Sequence, residues 1–213
     1  MDVSYIDCGY VIVSVDSENN KKCKLKISAN NQSYLYDLNN DNVVVPLQMG
    51  NGNYITQLFQ NVVGNRYAEC GYITFTVNLS DNNAPFTHPN QYVDYDNDII
   101  NIASKLSSVK DIFSYIEKHF DYDYVYAITV KKGALPNIKR LLSLHTGICQ
   151  DFAALTVALL RIKCIPSKLC IGEADNHPHA WVEYMKDDHW KLYDPTAKIQ
   201  HLTIKNYKKE REY

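Results

Sequence analysis

The chain has 213 residues, of which 46% are hydrophobic and 22% are charged, and its formal net charge at pH 7 is -2. A chain of this size can bury a substantial core and is long enough for two small domains. The near-neutral charge gives no reason to expect a nucleic-acid partner, and the basic cluster Lys205–Arg211, which also contains Glu210, is interpreted as a solvated tail.

Residues 1–85 are predicted to form an antiparallel β-sandwich. Runs rich in branched and aromatic residues alternate with turn-prone clusters, a pattern typical of short strands joined by tight turns. The predicted strands are Tyr10–Val15, Lys22–Ile27, Tyr34–Tyr36, Val43–Val45, Tyr54–Phe59 and Tyr72–Val77. No motif in this domain carries evident chemistry. Residues 86–98, which are rich in Asn and Asp, are predicted to connect it to a second domain, residues 99–213.

Two helices are predicted in the second domain. The first covers Ile99–His119, and the second begins at Cys149, with Thr146 and Gly147 as its start signals and apolar residues at helical spacing as far as Ile162. The free amides and the dipole of a helix start favour an anion, and therefore a thiolate. The same amides can donate to an oxyanion. A buried, inert cysteine is the alternative at this point.

Two strand-like runs that flank the polar Lys186–Asp188 are predicted to form a hairpin carrying His179 and Asp194. A turn centred on Lys186-Asp187 places this pair directly opposite each other, with Cβ atoms roughly 4.5–5.5 Å apart. A turn centred on Asp187-Asp188 makes the pair diagonal and still within possible reach. An aspartate here would fix the tautomer and orientation of the imidazole. With the helix-start cysteine, the pair forms a predicted catalytic triad.

Two further residues are candidates for the cleft around the triad. Tyr122, which follows the first helical run, is proposed as a side-chain donor to the oxyanion beside the backbone amide of Cys149; a packing tyrosine is the alternative. Trp181 lies two residues from His179 on the same strand face and is predicted to be a neighbour of the cleft.

The chain contains six cysteines, which are expected to be reduced because the first 15 residues do not resemble a signal peptide. Cys8, Cys23 and Cys70 are expected to be buried in strands, whereas Cys164 and Cys170 flank a helix-to-strand step and could pair. The spacings of a structural zinc site, an HExxH motif and an EF-hand loop are all missing from the sequence. No metal and no other cofactor is therefore expected.

Several of these motifs resemble the core of the transglutaminase-like superfamily. The similar segments are Gly147–Leu155 (GICQDFAAL), Leu160-Arg161, Ile165–Lys168, Gly172, His179–Tyr184 (HAWVEY) and Tyr193–Thr196 (YDPT). The resemblance covers about Ala103–His201 and implies a papain-like domain, in which helices pack on an antiparallel sheet. It also implies that Cys149 is the nucleophile, His179 the base and Asp194 the orienting acid.

The predicted reaction is acyl transfer, in which Cys149 forms a thioester that water or an amine resolves. The resemblance favours hydrolysis of an amide or peptide bond by a cysteine protease, with a peptide or protein as substrate. Protein-glutamine cross-linking is one alternative, and a binding or assembly module that keeps the fold without turnover is the other. No apolar run reaches the length of a membrane span, so we expect a cytoplasmic protein without a membrane partner. The oligomeric state is left open.

Overall fold

The computed structural model describes residues 1–15, 21–38 and 42–213. The chain divides into two compact units, Met1–Gln91 and Tyr92–Tyr213. Strands of both units pair mainly in antiparallel fashion, and the α-helices lie in the second unit, so the protein belongs to the mixed α and β class.

Each strand predicted in the first unit is present. The strands are β1 (Tyr10–Val13), β2 (Cys23–Ala29), β3 (Gln32–Leu38), β4 (Val43–Pro46), β5 (Gly52–Val63) and β6 (Arg66–Val77). One antiparallel sheet has the order β3-β2-β5-β6, and β1 pairs antiparallel with β4. Antiparallel sheets are therefore confirmed for this unit, whereas a β-sandwich is not.

The core of the first unit follows the alternation of its strands. In β2 every second residue is buried, which places Leu25 and Ile27 on one face of the sheet. Tyr54 of β5 is fully buried, and its hydroxyl donates to the carbonyl oxygens of Leu47 and Gly50, at 2.9 Å in each case. The buried phenol therefore has acceptors for its polar end.

The single helix predicted over Ile99–His119 is wrong, because two helices occupy this segment. They are α1 (Asn97–Ser104) and α2 (Val109–His119). The side chain of Ser108 accepts a hydrogen bond from the Asp111 amide at 3.1 Å and so caps the start of α2. A serine at the N-cap satisfies an otherwise unpaired amide, which favours a new helix start at this residue.

Short elements lie between these helices and the helix that begins at Cys149. They are β7 (Asp121–Tyr122), α3 (Tyr124–Thr129), α4 (Ile138–Leu144) and β8 (Thr146–Gly147). The two-residue strands β7 and β8 pair in parallel, so Tyr122 lies opposite Gly147. This pairing brings the segment after α2 beside the start of the next helix.

The second unit is organised around one buried helix and one sheet. Helix α5 (Cys149–Ile162) packs on β9 (Ser167–Ala174) and β10 (His177–Lys186). These strands form an antiparallel sheet with β11 (His189–Tyr193) and β12 (Tyr207–Glu212), in the order β11-β10-β9-β12. Helix α6 (Pro195–Ile199) follows β11. The expected packing of helices on an antiparallel sheet is therefore present.

The interpretation of Lys205–Arg211 as a solvated tail is wrong. Most of this segment lies in the edge strand β12, which pairs with β9. The ammonium group of Lys209 lies 2.6 Å from a carboxylate oxygen of Glu183, so part of the positive charge is paired within the sheet. Charged residues are common on an edge strand because they keep it from pairing with other chains.

The cysteines are free thiols, and their burial differs in part from expectation. Cys23 is buried as predicted, but Cys8 and Cys70 are exposed. Cys8 ends a short 3-10 turn instead of lying in a strand, and Cys70 lies in the edge strand β6, most of whose side chains face solvent. Cys164 is exposed and Cys170 is buried, and the two are not paired.

Across residues 1–15, 21–38 and 42–213, none of the helices combines the length and the apolar character that a membrane crossing requires.

Candidate active site

Helix α5 begins at Cys149, as the sequence predicts, but its start is stabilised differently. The predicted start signals Thr146-Gly147 lie in β8. Instead, the Asp151 carboxylate accepts hydrogen bonds from the amides of Ile148, at 3.2 Å, and Asn137, at 2.8 Å. Asp151 is fully buried, and this burial raises its pKa against the opposing effect of the two amides. The hydrogen bonds of this buried carboxylate thereby hold the first turn of α5, which carries the Cys149 thiol.

The hairpin between β10 and β11 has the second of the two predicted registers. Lys186 pairs with His189, so the turn consists of Asp187 and Asp188. Both turn residues have positive φ angles, 51° and 58°. This conformation matches the two-residue turns that fit the twist of a hairpin, and aspartate tolerates it. The turn centred on Lys186-Asp187 is therefore wrong.

Asp194 does not lie in a strand, because β11 ends one residue before it. Asp194 is the N-cap of α6, where its Oδ1 atom accepts the amide of Ala197 at 2.9 Å, and Pro195 follows at the first helical position. Its carboxylate is therefore oriented by the start of a helix.

His179 and Asp194 nevertheless form a direct contact. Nε2 of His179 lies 2.7 Å from Oδ2 of Asp194, and the two side chains are 11% and 4% exposed. A charge-assisted hydrogen bond of this length fixes the imidazole in one orientation. The structure thus brings together the two residues that the sequence assigned to the base and the orienting acid.

Electrostatics keep this pair charged at neutral pH. Burial lowers the pKa of His179, but hydrogen bonding and charge from Asp194 and Cys149 outweigh it and raise the pKa to about 9. Burial raises the pKa of Asp194, but the bonds to His179, the Ala197 amide and the Tyr207 hydroxyl outweigh it and hold the pKa below its ordinary value. The partly exposed sulfur of Cys149 therefore lies beside an imidazolium.

Tyr207 of β12 is a site residue that sequence reasoning missed. Its hydroxyl donates to Oδ2 of Asp194 at 2.8 Å. No spacing rule connects these positions, since the contact depends on how β12 pairs with β9. The available sign was an aromatic residue at the start of a segment otherwise dominated by charge.

Trp181 lies next to His179. Its side chain is 1% exposed, and its ring centroid lies 6.5 Å from that of His179 and 5.1 Å from that of Tyr207. The buried indole therefore packs beside the His179 imidazole.

Tyr122 lies close to Cys149. Burial, with a smaller effect of the neighbouring Cys149, raises the pKa of Tyr122 to about 12, so its hydroxyl remains a donor at neutral pH. The following residue, Asp123, donates its amide to the Gly147 carbonyl at 2.8 Å, and its carboxylate lies 2.6 Å from the Arg140 guanidinium. These contacts hold the Tyr122 segment against the start of α5.

In the parts of the chain that the structure describes, no group of three or more His, Cys, Asp and Glu side chains is placed to hold a metal ion.

Solved structures that resemble this chain include the following two. One is described as "Crystal structure of a TGase"; it is 21% identical with a TM-score of 0.41, and the match covers 54% of this chain and 33% of that chain. This chain thus spans about a third of its length. The other is described as a "Putative Cysteine Protease from Cytophaga hutchinsonii"; it is 14% identical with a TM-score of 0.47, and the match covers 96% of this chain and 78% of that chain.

Comparison with curated proteins finds no match. Comparison with protein families does: residues 94–195 match the family model described as "Transglutaminase-like superfamily". The matched segment contains Cys149, His179 and Asp194. Residues 94–195 of this chain therefore match the transglutaminase-like superfamily.

Proposed function

We propose that this protein is a thiol-dependent acyl-transfer enzyme with Cys149 as nucleophile, His179 as base and Asp194 as orienting acid. The observation that carries the proposal is the 2.7 Å contact between His179 and Asp194, made beside a cysteine at a helix start. A buried, charged imidazole held by a carboxylate next to a thiol is the arrangement that nucleophilic catalysis by cysteine requires.

The first half of the reaction breaks the amide bond. The Cys149 thiolate attacks the carbonyl carbon, and His179, whose Nε2 is engaged by Asp194, uses Nδ1 to protonate the leaving amine. The C–N bond breaks, and the acyl group remains on Cys149 as a thioester. His179 is left neutral and ready to act as a base.

The second half returns the enzyme to its starting state. Neutral His179 removes a proton from water, and the resulting hydroxide attacks the thioester carbonyl. The C–S bond breaks, the carboxylic acid leaves, and the thiolate and the imidazolium are restored. Asp194 keeps the imidazole oriented in both halves and does not itself take up the proton.

The negative charge on the carbonyl oxygen needs donors. We assign this role to the backbone amide of Cys149 and the hydroxyl of Tyr122. The position of Tyr122 opposite Gly147, in the β7–β8 pair, supports the assignment. Preorganised donors that aim at the developing oxyanion are commonly the largest contribution to such catalysis.

The proposed outcome is hydrolysis of an amide or peptide bond, as in a cysteine protease or amidase. Transamidation uses the same thioester, with a lysine amine in place of water. Incubation of fluorescent casein with and without dansylcadaverine distinguishes the two. Hydrolysis releases small labelled peptides, whereas transamidation attaches the dansyl amine to intact casein. Absence of both products, together with rapid alkylation of Cys149, would favour a binding module.

We also propose that the first unit is a small β-sandwich, in which the β1–β4 pair covers the four-stranded sheet. Val11 and Val45 of the pair are fully buried, and so is Ile27 of the sheet, which supports apolar contact between the two layers.

The sharpest test of the nucleophile is competitive alkylation within one molecule. Iodoacetamide at mildly acid pH, followed by peptide mass spectrometry, should modify Cys149 at least about tenfold faster than the exposed Cys8, Cys70 and Cys164, because a thiolate reacts and a thiol does not. These three cysteines are more accessible than Cys149, so accessibility does not explain such a difference.

Two variants complete the test. His179→Ala should remove the rate advantage of Cys149, because the imidazolium that stabilises the thiolate is lost. Cys149→Ala should abolish turnover of p-nitrophenyl acetate and casein and leave the fold unchanged, as checked by circular dichroism. Alkylation of Cys149 no faster than that of the exposed cysteines would refute the proposed function.

A further inference from the structure

Three groups donate hydrogen bonds to the Asp194 carboxylate, one more than a catalytic triad and a helix cap together require. Oδ1 accepts the amide of Ala197, and Oδ2 accepts both Nε2 of His179, at 2.7 Å, and the hydroxyl of Tyr207, at 2.8 Å. His179 and Tyr207 therefore share one oxygen atom. Asp194 is 4% exposed, so these protein donors satisfy nearly all of its hydrogen-bonding capacity.

The strand that carries Tyr207 is held firmly at its start. The Asp175 carboxylate accepts the amides of Lys205, at 3.2 Å, and Asn206, at 3.0 Å, and the Asp175 amide donates to the Asn206 carbonyl at 3.0 Å. Tyr207 then pairs with Ala174 in β9. The position of the phenol is thus set by contacts of its strand with the end of β9 and the first residue of the β9–β10 turn.

The tyrosine ring also packs into the site. Its centroid lies 5.1 Å from that of Trp181 and 6.4 Å from that of His179. The ring and the hydroxyl of Tyr207 therefore make separate contacts, and a phenylalanine would keep the first and lose the second.

We propose that Tyr207 is a positioning residue of the triad, whose hydroxyl fixes the plane of the Asp194 carboxylate and takes part of the negative charge of Oδ2. This inference rests on the proposed function. Tyr207 touches no reacting atom in the proposed mechanism, and its effect on Cys149 passes through Asp194 and His179. The edge strand β12, which carries Tyr207, thereby helps to orient the triad.

Loss of the Tyr207 hydroxyl should change the pKa of His179 in one direction. A donor on Oδ2 stabilises the charge of Asp194 and weakens its attraction for the imidazolium. Removal of the hydroxyl leaves more charge facing His179, so the pKa of His179 should rise further. The other titratable groups that face this cluster, Cys149 from α5 and Asp175 from the β9–β10 turn, are unchanged by the substitution.

The test compares Tyr207→Phe with Tyr54→Phe, which removes a buried tyrosine hydroxyl from the first unit. The pKa of His179 is measured by NMR titration of histidine labelled with ¹⁵N, with His179→Gln used to assign the resonance. Tyr207→Phe should raise the pKa of His179 by up to about one unit, since one hydrogen bond is lost, and Tyr54→Phe should leave it unchanged.

A second substitution changes the donor strength without removing the hydroxyl. Site-specific replacement of Tyr207 with 3-fluorotyrosine gives a more acidic phenol and a stronger donor. The pKa of His179 should then fall, which is opposite in sign to the effect of Tyr207→Phe. This variant keeps the proposal testable if Tyr207→Phe is too unstable to study, because the ring and its hydrogen bond are retained.

Alkylation of Cys149 separates this inference from the proposed function. An unchanged pKa of His179 in both Tyr207 variants, with rapid alkylation of Cys149 in the unmodified protein, would overturn the role of Tyr207 and leave the proposed function standing. Slow alkylation of Cys149 in the unmodified protein would overturn both. Opposite shifts in the two variants, together with rapid alkylation, would establish Tyr207 as a positioning residue.

Discussion

His179 and Asp194 are joined by a 2.7 Å contact although they are not cross-strand partners. The register of the β10–β11 hairpin is offset by two residues from the one that would place them opposite each other, and Asp194 lies beyond the end of β11. The contact forms because Asp194 caps α6, which turns its carboxylate back towards β10. The helix cap therefore brings the Asp194 carboxylate to His179, which the pairing of β10 with β11 alone does not do.

Replacement of Asp194 with asparagine should separate its two roles. An asparagine still caps α6 through its side-chain oxygen, so the fold should be retained, but the buried charge pair with His179 is lost and the melting temperature should fall. The negative charge beside His179 is lost, and hydrolysis of p-nitrophenyl acetate should fall by roughly 10²-fold or more, short of the complete loss expected for Cys149→Ala. Asp187→Asn, an equal change of charge in the exposed turn, is the control. Full activity in Asp194→Asn would contradict the proposed role.

The stability of the protein should depend on the protonation of His179. Its pKa in the folded protein is about 9, against an ordinary value of 6.5, so the folded state binds this proton more tightly than the unfolded chain does. The stabilisation is fully present below pH 6.5 and is lost as the pH rises through about 9. Urea unfolding across this range should show a steeper fall in the free energy of unfolding for the unmodified protein than for His179→Gln. Parallel curves would rule this linkage out.

Asp151→Ala should be strongly destabilising. The substitution leaves the buried amide of Ile148 without an acceptor, at a cost of ~1–3 kcal/mol, and removes the acceptor of the part-buried Asn137 amide at a smaller cost. Asp151→Asn keeps one side-chain oxygen as an acceptor and should lose less. Urea unfolding measures the free energies, and alkylation of Cys149 reports whether the first turn of α5 has moved. Equal stability of the alanine variant and the unmodified protein would show that Asp151 does not support this turn.

Gly172→Ala should displace β12. A Cβ atom at this position would overlap the Lys208 carbonyl oxygen and lie 3.0 Å from the Glu210 amide nitrogen, and neither backbone atom can rotate away. The register of β12 against β9 shifts between Lys209 and Arg211, so the approach is closest where the strand is irregular. The variant should have a lower melting temperature and a higher pKa of His179, because Tyr207 moves with the strand. Ser167→Ala in the same strand is the control.

Much of the secondary structure could be predicted from local pattern. Runs rich in branched and aromatic residues, bounded by turn-prone clusters, predicted the strands β1 to β6, and helical spacing placed the start of α5 at Cys149. These signals are local because the periods of strands and helices are set by the backbone. The ends of the helices and strands were predicted less accurately. The break between α1 and α2 depends on the Ser108 cap, which interrupts an otherwise continuous helical pattern.

The sequence by itself determined which residues carry the chemistry proposed here, because a cysteine at a helix start and a histidine and an aspartate flanking a hairpin are recognisable in order along the chain. The tertiary structure decided how they meet. The hairpin register depends on two aspartates that adopt positive φ angles, and the orientation of Asp194 depends on α6. The contact with Tyr207 depends on β12 pairing with β9. Such contacts join residues far apart in the chain, and their geometry follows from packing, which no local pattern records.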